Sequence, residues 1–362
     1  MFEDSGWTIE ELSTKLKVPS YIINEWLNGK KNPTLRQIEN LSKYIKRPLT
    51  AFLLPEPLPK QPLPHDYRML PGRSGSFSKK TLLVIRSVRR LQSISQELFN
   101  NLNISPNAKI TPAQIFEKPE IVAIRERINS GITIEEPKKW KDSYQAFEKW
   151  REMIEAKNIL VFQLPVPIED IRGFTLTENE PFIIVINSTD SIEARIFTLF
   201  HDYGHIILNM SGACFADPSI INEGTDAKIE KWCNEFAAAF LFPEDQAKSC
   251  FQNKSESELL DFKNLNKFSR MYKISKSALA LAMLKQSFIT QNAYQKLMDT
   301  MKSIKKKKKG GKGESLIQKS TRQKGQKFIS LVTSNINEGF ITNNDALDYL
   351  SIKLKDLKGL TL

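Results

Sequence analysis

The sequence is short of cysteine, histidine and long apolar runs, and each shortage closes off a class of protein. There are only three cysteines in 362 residues. Cys214, Cys233 and Cys250 are widely spaced and odd in number, so a disulfide framework is not expected and the cytoplasm is the expected compartment. Hydrophobic residues make up 40% of the chain, enough for one large core or several smaller ones. The apolar stretches are nonetheless short and broken by charges, so no membrane span is expected. The opening residues, MFEDSGWTIEE, are acidic and polar and lack the basic-then-apolar layout of a secretory leader. Histidine occurs three times, at 65, 201 and 205.

What the chain has in surplus is positive charge. Lysine and arginine number 53 against 41 acidic residues, a formal net charge of +12. Such a surplus favours a polyanionic partner, most often nucleic acid. The run KKKKK at 305–309 supplies five of these charges, so a protein with a merely basic, solvated loop is the competing reading.

Residues 7–54 read as short helices. Leu12, Leu16, Val18, Ile23, Trp26, Leu35, Ile38, Leu41 and Ile45 recur at roughly helical spacing. Breaks fall at Val18-Pro19 and between Asn28-Gly29 and Asn32-Pro33. The proline-rich stretch PEPLPKQPLP at 55–64 is the clearest boundary and should be extended. Beyond it the pattern predicts helices over about 78–103, 111–130 and 137–157. The β-branched runs NILVFQLPV (158–166) and FIIVIN (182–187) predict strands. Helical periodicity returns from Glu193 to Asn209 and continues around 226–241, 244–250, 256–272, 275–285 and 291–303. After a lysine-glycine loop, a helical tail runs from about 315, with a turn and cap at Gly339–Thr342 before Asn343–Leu350.

His201 and His205 stand four apart in RIFTLFHDYGHIILN. On a helix such residues share one face, with Cβ atoms roughly 5–6 Å apart, so both imidazoles can aim at one ion. Zinc takes nitrogen ligands at about 2.0–2.1 Å and prefers four partners, one of them left to water in a hydrolase. A third protein ligand is therefore needed, and a carboxylate suits better than His65, which lies far upstream beside the proline stretch. In IEKWCNEFAAAFLFPED (229–245), Glu230 and Asn234 lie one turn apart. Glu230 supplies the third ligand with Asn234 behind it, or else it is a solvated surface carboxylate. Cys233 is most simply a buried helix residue, and Cys214, just past the metal helix, is a further candidate to approach the site.

The pair FTLFHDYGH and EKWCNEFAAAFLFP resembles the ImmA/IrrE family of zinc metallopeptidases. The resemblance implies a zincin-like domain in which His201, His205 and Glu230 hold Zn2+. RGFTL and PFIIVINS (172–176, 181–188) also resemble the family's preceding strands. The family carries Glu where this chain has Asp202, and uses it as general base. Asp offers the same group at a similar intrinsic pKa but is shorter by one methylene, about 1.5 Å. A misplacement of about 1 Å costs on the order of a hundredfold in rate. Asp202 thus leaves two outcomes open, slow hydrolysis or a metal-holding fold that does not cut.

The segment from Trp7 to Ile45 resembles a helix-turn-helix of the Xre/Cro type. Ile9–Lys15 makes a first helix, Val18 closes the turn, Ser20 is placed as an N-cap, and Tyr21–Leu27 forms the second helix. That helix would enter the major groove of double-stranded DNA with Ser20, Tyr21, Ile22 and Asn24 towards the bases. Lys30 and Lys31 would hold phosphates. Such modules also serve protein binding or pairing, so a homodimer is an open possibility. The family has a full helix before the one that starts near Thr8. Its absence is expected to expose part of the Leu12, Ile23 and Trp26 core.

These readings combine into a mainly helical, α+β protein. A helix-turn-helix domain occupies 1–54 and a linker 55–77. A metallopeptidase-like domain with a small sheet spans 78–300, a basic flexible loop 301–314, and a helical segment 315–362. The helices of 268–284 resemble a small winged-helix-like element. The implied role is a DNA-binding regulator whose second half cleaves or binds a partner protein, a repressor or a toxin. The alternative is a non-cutting regulator or antitoxin-like partner whose metal domain only recognises protein.

Overall fold

The β-branched runs form strands because both of their faces are buried. The computed structural model describes residues 5–54, 77–209, 213–214, 225–303 and 314–357. β1 (Leu160–Leu164), β2 (Gly173–Leu176), β3 (Ile183–Asn187) and β4 (Ala213–Cys214) make one sheet in the order β1-β3-β2-β4. β1 runs parallel to β3, with Leu160 opposite Ile183. β2 is antiparallel to β3, with Gly173 opposite Ile186, and β4 is antiparallel to β2, with Gly173 opposite Cys214. Side chains alternate between faces. Val161, Ile184 and Ile186 enter one core, whereas Leu160, Phe162, Phe174, Leu176, Ile183 and Val185 enter the other. A sheet covered on both sides has no polar alternation to show, which is why its strands read as continuous apolar runs.

Helices supply the covers. The chain opens with α1 (Ile9–Leu16), α2 (Ser20–Leu27) and α3 (Leu35–Ile45), then a 3-10 turn at Leu49–Phe52. The long α4 (Lys79–Asn101) is followed by α5 (Pro119–Ser130), α6 (Glu136–Lys139) and α7 (Ser143–Glu155) before β1. α8 (Ile192–Ile207) follows β3, and α9 (Thr225–Leu241) follows β4. Next come α10 (Glu244–Phe251), α11 (Glu256–Leu260), α12 (Phe262–Tyr272), α13 (Lys276–Lys285) and α14 (Gln291–Ser303). The last group is α15 (Leu316–Lys324), α16 (Gln326–Asn337), α17 (Asn343–Leu350) and α18 (Leu354–Leu357). Residues of α5, α7, α8, α9 and α10 to α14 share the core on one face of the sheet; α4, α16 and α17 fill the other. No helix among the described residues is long and apolar enough to cross a membrane.

Several boundaries differ from the sequence expectation. The helix expected over 111–130 begins only at Pro119, a residue suited to a first turn because its missing N–H has no intrahelical partner to lose. The 137–157 segment divides, with Asp142 capping α7 by accepting from the backbone of Tyr144 and Gln145. The 256–272 segment divides at Asp261. The tail divides at Gly325, whose φ of +82° a helix does not use. Ser20 is not an N-cap: Pro19 holds the cap position without a side-chain bond, and Ser20 is the first helical residue. The proline-rich stretch, His65 and Lys305–Lys309 lie outside the described residues.

The N-terminal core is covered. Leu12 is 0% and Ile23 2% exposed, and Trp26 packs against them half-buried. Trp7 closes one side. Its Nε1 donates to the Tyr44 carbonyl at 3.1 Å, and its ring meets that of Tyr44 edge-on at 5.9 Å. α4 closes over Trp7: Lys79 Nζ sits 3.8 Å from the ring centroid and 2.5 Å from Glu11 Oε2. Arg86 donates to the Ile45 carbonyl at 3.0 Å.

Candidate metal centre

α8 is set by its cap and by a glycine. Ser191 accepts from the backbone of Ala194 at the start of the helix. Gly204 faces α9 so closely that a Cβ there would lie 3.3 Å from both Cys233 Sγ and the Phe236 ring. Cys233 is thus a wholly buried contact residue, as expected. The close approach brings one carboxylate of α9 to the two imidazoles of α8.

His201 Nε2 and His205 Nε2 lie 3.2 Å apart. Glu230 Oε2 is 3.2 Å from the first and Oε1 is 3.0 Å from the second. All three residues are buried. Ligands held at about 2.0–2.1 Å in tetrahedral array stand about 3.3 Å from one another, and the observed spacing matches. The tautomer fits as well. Asn234 Oδ1 lies 3.1 Å from His201 Nδ1; with the amide oriented so that Nδ1–H donates, Nε2 keeps a lone pair facing the other donors. Two lone-pair nitrogens and a carboxylate suit zinc and other first-row divalent ions, so the donor set implies a metal without choosing zinc.

The charges are coupled. Burial disfavours a cationic His201, but the Glu230 carboxylate, aided by Asp202, outweighs it and the pKa rises. Burial pushes Glu230 up, yet the two imidazoles hold it well below the ordinary carboxylate range.

Asp202 is 0% exposed and is seated against β2. A Cβ added to Gly173 would come 2.5 Å from Asp202 Oδ2, 2.6 Å from Thr198 Cγ2 and 2.8 Å from the Val185 carbonyl. Only glycine leaves this space. Sequence reasoning passed over Gly173, whose single trace is a lone glycine opening an apolar strand. Phe197, one turn before His201, has its ring centroid 6.4 Å from the imidazole with 29° between planes. Cys214 falls on β4, and its side chain lies outside the described residues.

The groove-facing candidates form a separate group on α2 and the turn after it. Tyr21, Asn24, Lys30 and Lys31 are exposed; Ser20 and Ile22 are half-buried. Asn24 Nδ2 donates to the Ser20 carbonyl at 3.3 Å.

Residues 154–283 match the family model of the IrrE N-terminal-like domain, Peptidase_M78. The match runs from the end of α7 to α13, covering the sheet and both helices that carry the donors. This part of the chain is a zincin-like, metallopeptidase-type domain. No curated protein shows a significant match to the chain.

Proposed function

We propose that His201, His205 and Glu230 hold a zinc ion and that the domain hydrolyses a peptide bond in a partner regulatory protein such as a repressor. The observation that carries this reading is the mutual spacing of the three donors, 3.0–3.2 Å, in a buried site. A bound ion would polarise a peptide carbonyl and bring the pKa of water near 7. Asp202 accepts the proton, and its burial against Gly173 keeps that carboxylate in one place. Asn234 fixes the His201 tautomer, so that the ring presents its lone pair rather than its N–H.

Purified full-length protein should carry a stoichiometric metal ion by elemental analysis, and His201→Ala should lose it. Native protein that takes up no ion from zinc-containing buffer would end this reading. Incubation with a co-encoded repressor should give discrete fragments, absent with Asp202→Asn. A second reading, partner recognition without cutting, draws on the enclosure of Asp202 beneath β2 and on its short reach. Partner binding with no fragments would favour it.

The N-terminal helices are proposed to bind double-stranded DNA. Support comes from the exposed Tyr21 and Asn24 on α2 and from Lys30 and Lys31 beside it. Lys30→Ala and Lys31→Ala should weaken binding across all sequences and lower the salt dependence by about one counterion each, as read by anisotropy titrations at several salt concentrations. An unchanged salt slope would remove these lysines from the interface.

A further inference from the structure

A cleft of about 970 Å3 opens between α5, the C-terminal end of α9, and α13. Its apolar walls include Ile124 and Ile128 of α5, Phe197 of α8, and Leu281 and Ala282 of α13. The volume falls in the range of ligand cavities, about 300–1,000 Å3, but the apolar surface continues past the rim. Ile121, Ile124 and Ile128 recur along the outer side of α5, exposed by 63, 51 and 72%. The inner side carries the buried Val122, Ala123, Glu126 and Arg127. An exposed apolar stripe joined to a cleft marks an interaction surface. A small ligand inside the cleft would leave Ile121 in water, whereas a macromolecule would cover it. Helices form the walls, so the fitting mode is a helix laid in a groove, anchored by apolar side chains at helical spacing.

Charge specifies the flanks of that helix. On the rim, Glu235 pairs with Lys285 at 3.3 Å and Glu244 with Lys248 at 2.6 Å. Arg127 is committed to the carbonyls of Ile132, Thr133 and Phe240. Glu120 and Asp245 have no ion pair among the described residues, and with Arg127 still cationic the lining holds four carboxylates against three basic groups, an acidic remainder of one charge. The cleft also borders the metal centre, because Phe197 is at once its wall and the neighbour of the His201 ring.

We propose that this cleft and the outer face of α5 dock the polypeptide on which the domain acts. The segment recognised is an amphipathic helix with bulky aliphatic side chains on one face and lysine or arginine beside them. The proposal rests on the reading of the domain as a peptidase-type module for a protein partner.

The test uses the full-length protein and a labelled synthetic helical peptide with leucines at helical spacing and flanking lysines. One control scrambles the order, and another replaces the lysines with glutamates. Fluorescence anisotropy should show saturable binding of the first peptide and binding about tenfold weaker for each control. Ile124→Ser with Ile128→Ser, both exposed, should weaken it about tenfold, and Ala282→Trp, which fills the cleft, should do the same. Circular dichroism and metal uptake should not change in these variants. Absence of saturable binding, equal binding of the scrambled peptide, or indifference to both variants would overturn the proposal. So would an apolar dye, anilinonaphthalene sulfonate, that binds native protein but not Ala282→Trp while the peptide does not bind; that result assigns the cleft to a small molecule. Metal content is measured on the same samples. Peptide binding without metal uptake removes the metal reading and leaves the docking surface, and metal uptake without peptide binding does the reverse.

Discussion

At Gly173 the space between β2 and α8 is too narrow for a methyl group, because Asp202, Thr198 and a backbone carbonyl already fill it. Gly173→Ala should therefore cost about 1–3 kcal/mol through overpacking, visible as a lower urea midpoint; an unchanged midpoint would show that β2 yields freely. Lys324 poses a different residue-scale problem. It is 8% exposed, and burial lowers its pKa from 10.5 to about 8. Between those values the unfolded chain keeps a proton that the folded chain has released, so stability should rise with pH from about 8 to about 10.5. Below that window the buried charge costs on the order of 3 kcal/mol. Lys324→Met should stabilise the protein near neutral pH and flatten the slope, as measured by chemical denaturation at pH about 7 and about 10. An undiminished slope would exclude Lys324 as its source. The two histidines were legible in the sequence because one helical turn fixes their relation. Glu230 needed the approach of a second helix, and Gly173 owes its role to a strand whose neighbour in space is distant in sequence.

At the scale of elements, the candidate metal centre is a property of the α8–α9 distance. Gly204 sets that distance, with Cys233 and Phe236 filling the opposite side. Gly204→Val should push the helices apart, move Glu230 from the imidazoles and cost about tenfold or more in metal affinity. Competition against a chromophoric chelator measures this; unaltered affinity would mean that Glu230 does not depend on this contact. β1 and β3 were readable as β-branched runs, and the long amphipathic α4 was readable throughout. β4, with two residues, is too short to carry a period. The start of α5 is set by a proline and that of α7 by the Asp142 cap, which apolar spacing does not register.

At the scale of the molecule, the C-terminal helices are held to the sheet through a buried ion pair. Arg151 Nε lies 3.0 Å from Glu155 Oε1, and Arg151 also donates to the carbonyls of Val161 and Arg322. Glu155 Oε2 accepts from the Lys327 backbone at 3.1 Å. Gly325 lies against this pair with a φ of +82°. Gly325→Ala should both strain the backbone and displace the pair, a loss of about 2 kcal/mol or more. Limited proteolysis should then release the tail; resistance equal to the native protein would refute that. The sequence marked this tail as helical but offered nothing to say which side of a sheet it covers, because such long-range pairing leaves no local pattern.

One helix serves two neighbours. The first turns of α4 brace Trp7, Glu11 and Ile45, while its later turns close the rear of the sheet through Ile85, Val88, Leu98 and Phe99. Cloning the N-terminal helices without this helix would strip them of a supporting wall, and cloning the sheet-containing half without it would open the sheet to water. Dissection of the gene at the proline-rich stretch should yield a poorly behaved N-terminal fragment, so the two halves are best studied as one polypeptide.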